Sequence, residues 1–177
     1  IKLGVDEKAY LEAAHTGDSR IIADSLVEPV VQQPSIDITP ALLVSQWYIT
    51  SLFPDEKIFK FRHFDHFDEV AEELSECRFA FFSSSQLEKF PAKYFDLFIN
   101  VCSLMEMRMD TIHYFFREID RVTRGYFYTK QWLVQNNRED NVVIQRDDYP
   151  VPLSWKRKME GIDPINQRLF EEVWEIK

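Results

Sequence analysis

A carboxylate can bind a ribose diol, accept a proton or cap a helix, and two in this sequence stand where such work is done: Asp37 and Glu106. Glu106 is the one carboxylate in residues 100–106, the polar exit of an apolar run made by Leu97, Phe98, Ile99 and Val101. A general base must stand within hydrogen-bond reach of the proton that it takes. A salt bridge to Arg108 or a helix-cap role suits the same position. Asp37 follows Ser35 and Ile36 and precedes Thr39 and Pro40. It reads either as a capping or surface carboxylate or as the acceptor for a ribose diol, the task of an acid after the second strand of nucleotide-binding sheets. His63 and His66 lie three apart, but no third His or Cys is placed to complete a metal site, so they read as structural. Lys130 and Trp132 close a later aromatic run, where they could hold an acceptor by hydrogen bonds and stacking. Simple rim packing explains Trp132 equally well.

Strand ends must position these residues. The run at 96–101, rich in branched and aromatic side chains, suits a strand covered on both faces, and Pro91 closes the loop before it. It is expected to be central and parallel, with strands at 78–82 and 126–128 in the same sheet. Open α/β sheets bind ligands beyond the carboxyl ends of their strands. Asp37, Gln86, Asn100 and Glu106 stand at successive strand exits and are expected in one crevice.

Thr39 reads as an N-cap with Pro40 at the first helical position. Leu43 and Trp47, with Ala41, Val44 and Tyr48, give that helix its expected core face. A short strand is expected at 57–61, then a helix capped by Asp65 with Phe67, Val70, Ala71 and Leu74 inward. Asp110 should cap an amphipathic helix with Ile112, Phe115, Phe116, Ile119 and Val122 on one side, ended by Gly125. Further strands are read at 126–132, 142–145 and 169–176. Strands alternating with helices make an α/β sheet, and late strands without a long helix between them suggest an antiparallel hairpin edge. Residues 1–34 read as a helical segment broken at Thr16, Gly17 and Asp18 and closed by Pro29 and Pro34, with the α/β domain at 35–177.

The 177 residues suffice for one domain with a real core. A formal charge of −9 argues against a nucleic-acid partner, since phosphate neutralisation needs clustered Lys and Arg. No long uncharged apolar run and no signal-peptide pattern is found, so no membrane partner is expected. Cys77 and Cys102 sit beside apolar runs and read as buried thiols of a reducing, cytoplasmic setting. Monomer and homo-oligomer both remain open.

Four segments together resemble the sugar O-methyltransferase family of class I S-adenosylmethionine-dependent enzymes. They are Ile36-Asp-Ile-Thr-Pro-Ala-Leu-Leu-Val-Ser-Gln-Trp-Tyr; Gln86-Leu-Glu-Lys-Phe-Pro with Phe95-Asp-Leu-Phe-Ile-Asn; Ser103-Leu-Met-Glu-Met; and Gly125-Tyr-Phe-Tyr-Thr-Lys-Gln-Trp. The resemblance implies a Rossmann-like sheet of seven strands, mostly parallel with an antiparallel C-terminal hairpin, and S-adenosylmethionine lying across the strand tips. On that pattern Asp37 matches the ribose-binding acid, and Gln86 with Leu87 matches the loop flanking the adenine. Asn100 lies at the tip nearest the sulfonium and methionine end. The implied reaction is in-line attack of a sugar hydroxyl, on a free sugar or a glycosylated small molecule, at the cofactor's methyl group. Glu106 is then the candidate base, with Ser103, Lys130 and Trp132 as acceptor contacts.

The sequence departs from that family in one respect. Class I methyltransferases carry a glycine-rich turn after their first strand, whereas the glycines here are Gly4, Gly17, Gly125 and Gly161, none of which follows a strand in that pattern. No first strand is found before Ile36. Its place in the implied sheet is beside 96–101, so its loss would open two long apolar edges, which folded proteins avoid. The expectation is that residues are missing between Val31 and Ile36, most readily at Pro34–Ser35, or that another strand fills the slot. Two rival readings follow. One is a non-catalytic methyltransferase-fold scaffold or binding protein. The other is a different nucleotide-binding enzyme, such as a dehydrogenase or sugar-nucleotide epimerase, and the absent glycine fingerprint counts equally against it.

Overall fold

A computed structural model of the chain describes residues 33–137 and 142–177. The chain divides into two compact units between Pro91 and Ala92. The expected helical segment at the N-terminus lies outside the described residues as far as position 32.

In the first unit, β1 (Gln33–Asp37) and β2 (Ile58–Phe59) flank β3 (Phe79–Ser83), both parallel to it. Phe79, Ala80, Phe81 and Phe82 are all buried, which is why the middle strand reads as an unbroken apolar run. Pro34 and Ser35 are successive residues of β1 and pair with the successive Ala80 and Phe81. The strand is therefore continuous at the place where a discontinuity was expected.

The helix α1 (Thr39–Leu52) lays Leu42 and Ile49, with Phe53 just beyond its end, against Phe79 and Phe81. The expected core face is the outer one: Leu43, Val44, Trp47 and Tyr48 are 50–69% exposed. A helix that is apolar nearly all round offers two stripes of the same period, and only the sheet selects between them. Thr39 is not the N-cap either. Ile38 takes that place, its N–H donated to Asp37 Oδ1 at 2.7 Å, and Pro40 sits within the first turn. Farther on, a 3-10 turn at Phe67–Glu69 starts from His66 rather than Asp65, with Glu69 Oε1 accepting the His66 N–H at 3.0 Å. The helix α2 (Ala71–Glu76) then carries Leu74 inward, next to the buried Val70. His63 and His66 stay exposed, and no cluster of three metal-ligating groups exists among the described residues.

In the second unit, β4 (Phe95–Val101) leads through α3 (Met109–Val122) to a parallel β5 (Thr123–Trp132). Two segments follow that form a separate antiparallel pair, β6 (Val134–Asn137) with β7 (Val142–Gln145). Last come β8 (Lys156–Ile162) and β9 (Leu169–Glu175), an antiparallel hairpin whose β9 also pairs antiparallel with β5. The order β4-β5-β9-β8 gives parallel pairing followed by an antiparallel C-terminal hairpin, as expected of this α/β class.

α3 buries Ile112, Phe116, Ile119 and Val122 on one stripe, and Phe116 stacks on Trp155 with ring centroids 5.8 Å apart. Leu104, Phe127, Ile144, Tyr149, Phe170 and Ile176 are buried in the same core. Each aromatic ring so buried contributes roughly 1.5–3 kcal/mol. The N-cap of α3 is Arg108, and Asp110 lies in the first turn, where Oδ1 accepts the Thr111 N–H at 2.9 Å. The helix ends at Thr123 without Gly125, which belongs to β5. Its last carbonyls are met instead by Lys93: the backbone N–H donates to Arg121 O at 2.8 Å, and Nζ donates to Asp120 O and Thr123 O, both at 3.0 Å.

One expectation about β4 fails. It is a strand, but among the described residues it stands at the end of its sheet, paired with β5 alone, while residues 79–83 belong to a different sheet. Ile99 and Val101 are 58% and 50% exposed. No described strand occupies the place beside β4 that the resemblance gives to a first strand, so that edge of β4 has no strand partner among the described residues.

Candidate functional site

In the first unit, Asp37 and Ser83 are register partners at the carboxyl ends of the parallel β1 and β3. Asp37 is half-buried, and the 3-10 turn Ser84–Lys89 leaves β3 beside it. Gln86 locks that turn: its Oε1 accepts the Ser83 N–H at 2.9 Å and its Nε2 donates to Arg62 O at 2.9 Å. Gln86 is 3% exposed and Leu87 is fully buried, so both are committed to the interior. Ser84, half-buried, and Ser85, exposed, are the reachable side chains of the turn next to β3, and Ser85 Oγ lies 3.0 Å from Ser83 Oγ.

In the second unit, the exit of β4 is held by amides. Gln131 is fully buried on β5; its Nε2 donates to Asn100 Oδ1 at 2.7 Å and to Thr129 Oγ1 at 3.1 Å. Its Oε1 accepts the Met105 N–H at 3.4 Å. Asn100 in turn donates from Nδ2 to Ser103 Oγ at 2.7 Å, and its Oδ1 also accepts the Leu104 N–H at 3.3 Å. Cys102 donates its N–H to Lys130 O at 2.8 Å and adopts φ 53°, a left-handed conformation that a side chain rarely takes. The chain therefore turns sharply into the 3-10 segment Leu104–Glu106, whose Leu104 and Met105 are buried while Glu106 is exposed. Glu106 has no ion-pair partner among the described residues, since Arg108 Nε pairs with Asp110 Oδ1 at 3.4 Å instead.

Lys130 is engaged: its ammonium sits on Asp163 Oδ2, with Glu171 Oε2 at 3.9 Å. Lys130 draws the Asp163 carboxyl below the usual aspartate range, helped by the Asn166 and Ile165 N–H groups on Oδ1. Trp132 is half-buried at the end of β5, opposite Leu169. Tyr126 and Lys130 have Tyr-x-x-x-Lys spacing, yet both lie on β5, where four residues span about 13 Å, too far for the proton relay of a dehydrogenase. The residue that sequence reasoning passed over is Gln131. Its only signal was an uncharged polar side chain at an inward position of an aromatic strand.

Asn100, Ser103 and Glu106 are thus brought together in one unit, and Asp37 with the Ser83–Gln86 turn in the other. Among the described residues no helix is long and apolar enough to cross a membrane.

No protein-family model matches the sequence, and no curated protein matches it. Solved structures do. The PH0226 protein of Pyrococcus horikoshii OT3 is similar over 98% of this chain and 94% of its own, with a TM-score of 0.53 at 12% identity, which shows a shared fold. An S-adenosylmethionine-dependent methyltransferase of Leishmania major aligns over 97% of this chain and 74% of its own, at a TM-score of 0.46 and 13% identity. A 1,6-didemethyltoxoflavin-N1-methyltransferase of Burkholderia thailandensis, with bound 1,6-didemethyltoxoflavin and S-adenosylhomocysteine, aligns over 99% of this chain and 79% of its own, at a TM-score of 0.46 and 10% identity.

Proposed function

We propose that the chain is an S-adenosylmethionine-dependent O-methyltransferase acting on a sugar hydroxyl. One observation carries the reading: the turn ending β4 is fastened by the Asn100–Gln131 amide pair and leaves the Glu106 carboxylate exposed, without an ion-pair partner among the described residues. A proton acceptor needs such a place, firmly carried yet reachable. The family resemblance and the Rossmann-like fold support the reaction class.

In the first unit, the residues at the carboxyl ends of β1 and β3 fit the cofactor in part. Asp37 spends Oδ1 on the Ile38 N–H, which leaves Oδ2 to accept from a ribose hydroxyl. Gln86 and Leu87 are internal, so contact with an adenine falls to Ser84 and Ser85 on the same turn. In the second unit, taken by itself, Asn100 keeps one Nδ2 hydrogen beyond the one given to Ser103. No glycine cradle exists among the described residues, whose glycines are Gly125 and Gly161, both inside strands.

When bound, S-adenosylmethionine supplies an electrophilic methyl group, so the protein contributes alignment and proton removal. Glu106 takes the proton of the attacking hydroxyl onto a carboxylate oxygen. Ser103 Oγ, which accepts from Asn100, donates its own proton to an acceptor oxygen, and Trp132 offers an apolar face to the sugar ring. Lys130 reaches an acceptor only by leaving Asp163; in place, it holds the turn at 163–166.

The lack of a glycine cradle among the described residues favours a second reading, a non-catalytic scaffold of the same fold. Calorimetric titration with S-adenosylhomocysteine separates the two, followed by a mass-spectrometric screen of sugars with isotope-labelled S-adenosylmethionine. Saturable binding and label transfer to a sugar support the enzyme. Absence of binding by the intact chain overturns it in favour of the scaffold.

A further inference from the structure

Gln131 is an uncharged amide with no exposed surface, and it bonds to two parts of the β4 exit, Asn100 and the backbone of Met105, and to Thr129 on its own strand. Burying an amide without partners is unfavourable by several kcal/mol, so a fully buried Gln survives where its bonds are made. Here those bonds set a direction. Thr129 Oγ1 and Asn100 Oδ1 both receive from Gln131 Nε2, which turns the Gln131 oxygen toward Met105 N. With Oδ1 of Asn100 so engaged, and also receiving Leu104 N–H, its Nδ2 must face Ser103 Oγ.

We infer that Gln131 is the positioning residue of the β4 exit: it fixes Asn100 as a donor and Ser103 as the recipient, and so sets the 3-10 turn that carries Glu106. The functional side of this inference rests on the reading of that turn as the reacting end; its structural side does not. A ligand group facing Asn100 must then offer a lone pair, such as a carboxylate or a hydroxyl oxygen, because the only free capacity of that amide is an N–H.

Two variants of the full chain test this. Gln131→Met keeps the volume and removes every bond. Gln131→Glu keeps an acceptor for Met105 N–H, and it can donate to Asn100 Oδ1 only while its carboxyl is protonated. Backbone amide hydrogen exchange is read at Leu104 and Met105, with Phe127 and Ile119 as controls elsewhere in the core. The expected result for Gln131→Met is exchange faster by roughly tenfold at Leu104 and Met105, with the controls unchanged. For Gln131→Glu, protection at Leu104 should be close to wild type in acid and fall as the carboxyl ionises, once the intrinsic pH dependence of exchange is divided out. The wild type should show no such step.

Protection at Leu104 that is unaltered in both variants, or lost equally at the control amides, overturns the positioning role. If Gln131→Met does not fold, the pH step in Gln131→Glu decides alone. S-adenosylhomocysteine titration of the wild type is run in parallel. No binding there removes the reading of the site while leaving the exchange result to stand or fall by itself.

Discussion

Gly125 on β5 lies so close to Asp96 on β4 that a Cβ at Gly125 would overlap the Asp96 carbonyl oxygen. The contact falls where the β4–β5 register shifts between Phe95 and Leu97, and the neighbouring Arg124 Nε reaches back to Asp96 Oδ1 at 2.5 Å. The family-like Gly-Tyr-Phe-Tyr-Thr-Lys-Gln-Trp stretch thus begins with glycine for a packing reason. Gly125→Ala must push the two strands apart. It should lower unfolding stability by about 1–3 kcal/mol, as overpacking does, measured by urea denaturation. An unchanged midpoint would show that the strands part without strain.

Glu106→Gln keeps the size of the side chain and removes its basicity. If Glu106 takes the acceptor proton, turnover should fall by roughly 10²–10⁴-fold, while calorimetric affinity for S-adenosylhomocysteine stays as in the wild type. Equal turnover of the two proteins would take the role of base away from Glu106.

Asp163 is 4% exposed and bound by Lys130, Asn166 and Ile165, and Lys130 above all lowers its pKa in the folded state. A carboxyl with a depressed folded pKa stabilises fully above its unfolded value, near 4, and loses that contribution as the pH falls through the folded value. Asp163→Asn should therefore be less stable than wild type at pH 7, with the difference shrinking below about pH 4. Denaturation midpoints across pH 2–7 (roughly the span that covers both aspartate values) check this. A gap that stays constant with pH would show that the charge on Asp163 contributes nothing.

Tyr149 is buried, and its hydroxyl finds no hydrogen-bond partner among the described residues. Burial, with smaller effects from Cys102 and Asp148, pushes its pKa above the ordinary tyrosine value. Tyr149→Phe should raise stability by about 1 kcal/mol, since it removes an unpaired buried polar group. Above about pH 10 the unfolded wild type ionises while the folded one holds its proton, so stability falls with rising pH, a loss that the variant is spared. Thermal unfolding at neutral and alkaline pH measures both effects, and a less stable variant at neutral pH would mean that the hydroxyl is satisfied after all.

Local pattern alone determined β3, β4, β5 and α3. β3 and β4 are short apolar runs bounded by loop residues, β5 is an aromatic run of alternating burial and α3 has one clean apolar stripe, so each type follows from nearby residues. The positions of Asp37 and Asn100 at the carboxyl ends of strands, and of Glu106 in the turn after β4, were legible for the same reason. Tertiary structure decided the rest. α1 is apolar on both sides, and the sheet of Phe79 and Phe81 chose Leu42 over the stripe of Leu43 and Trp47. β8, with Lys156, Arg157 and Lys158, does not read as a strand because its polar side chains face solvent at a sheet edge, where β9 supplies the pairing. β4 reads as covered on both faces, yet which neighbours stand beside it is a property of other segments, and among the described residues only β5 does. Gln131 was invisible for a related reason. A buried amide looks like any polar residue in a strand until Asn100, Thr129 and Met105 are folded around it.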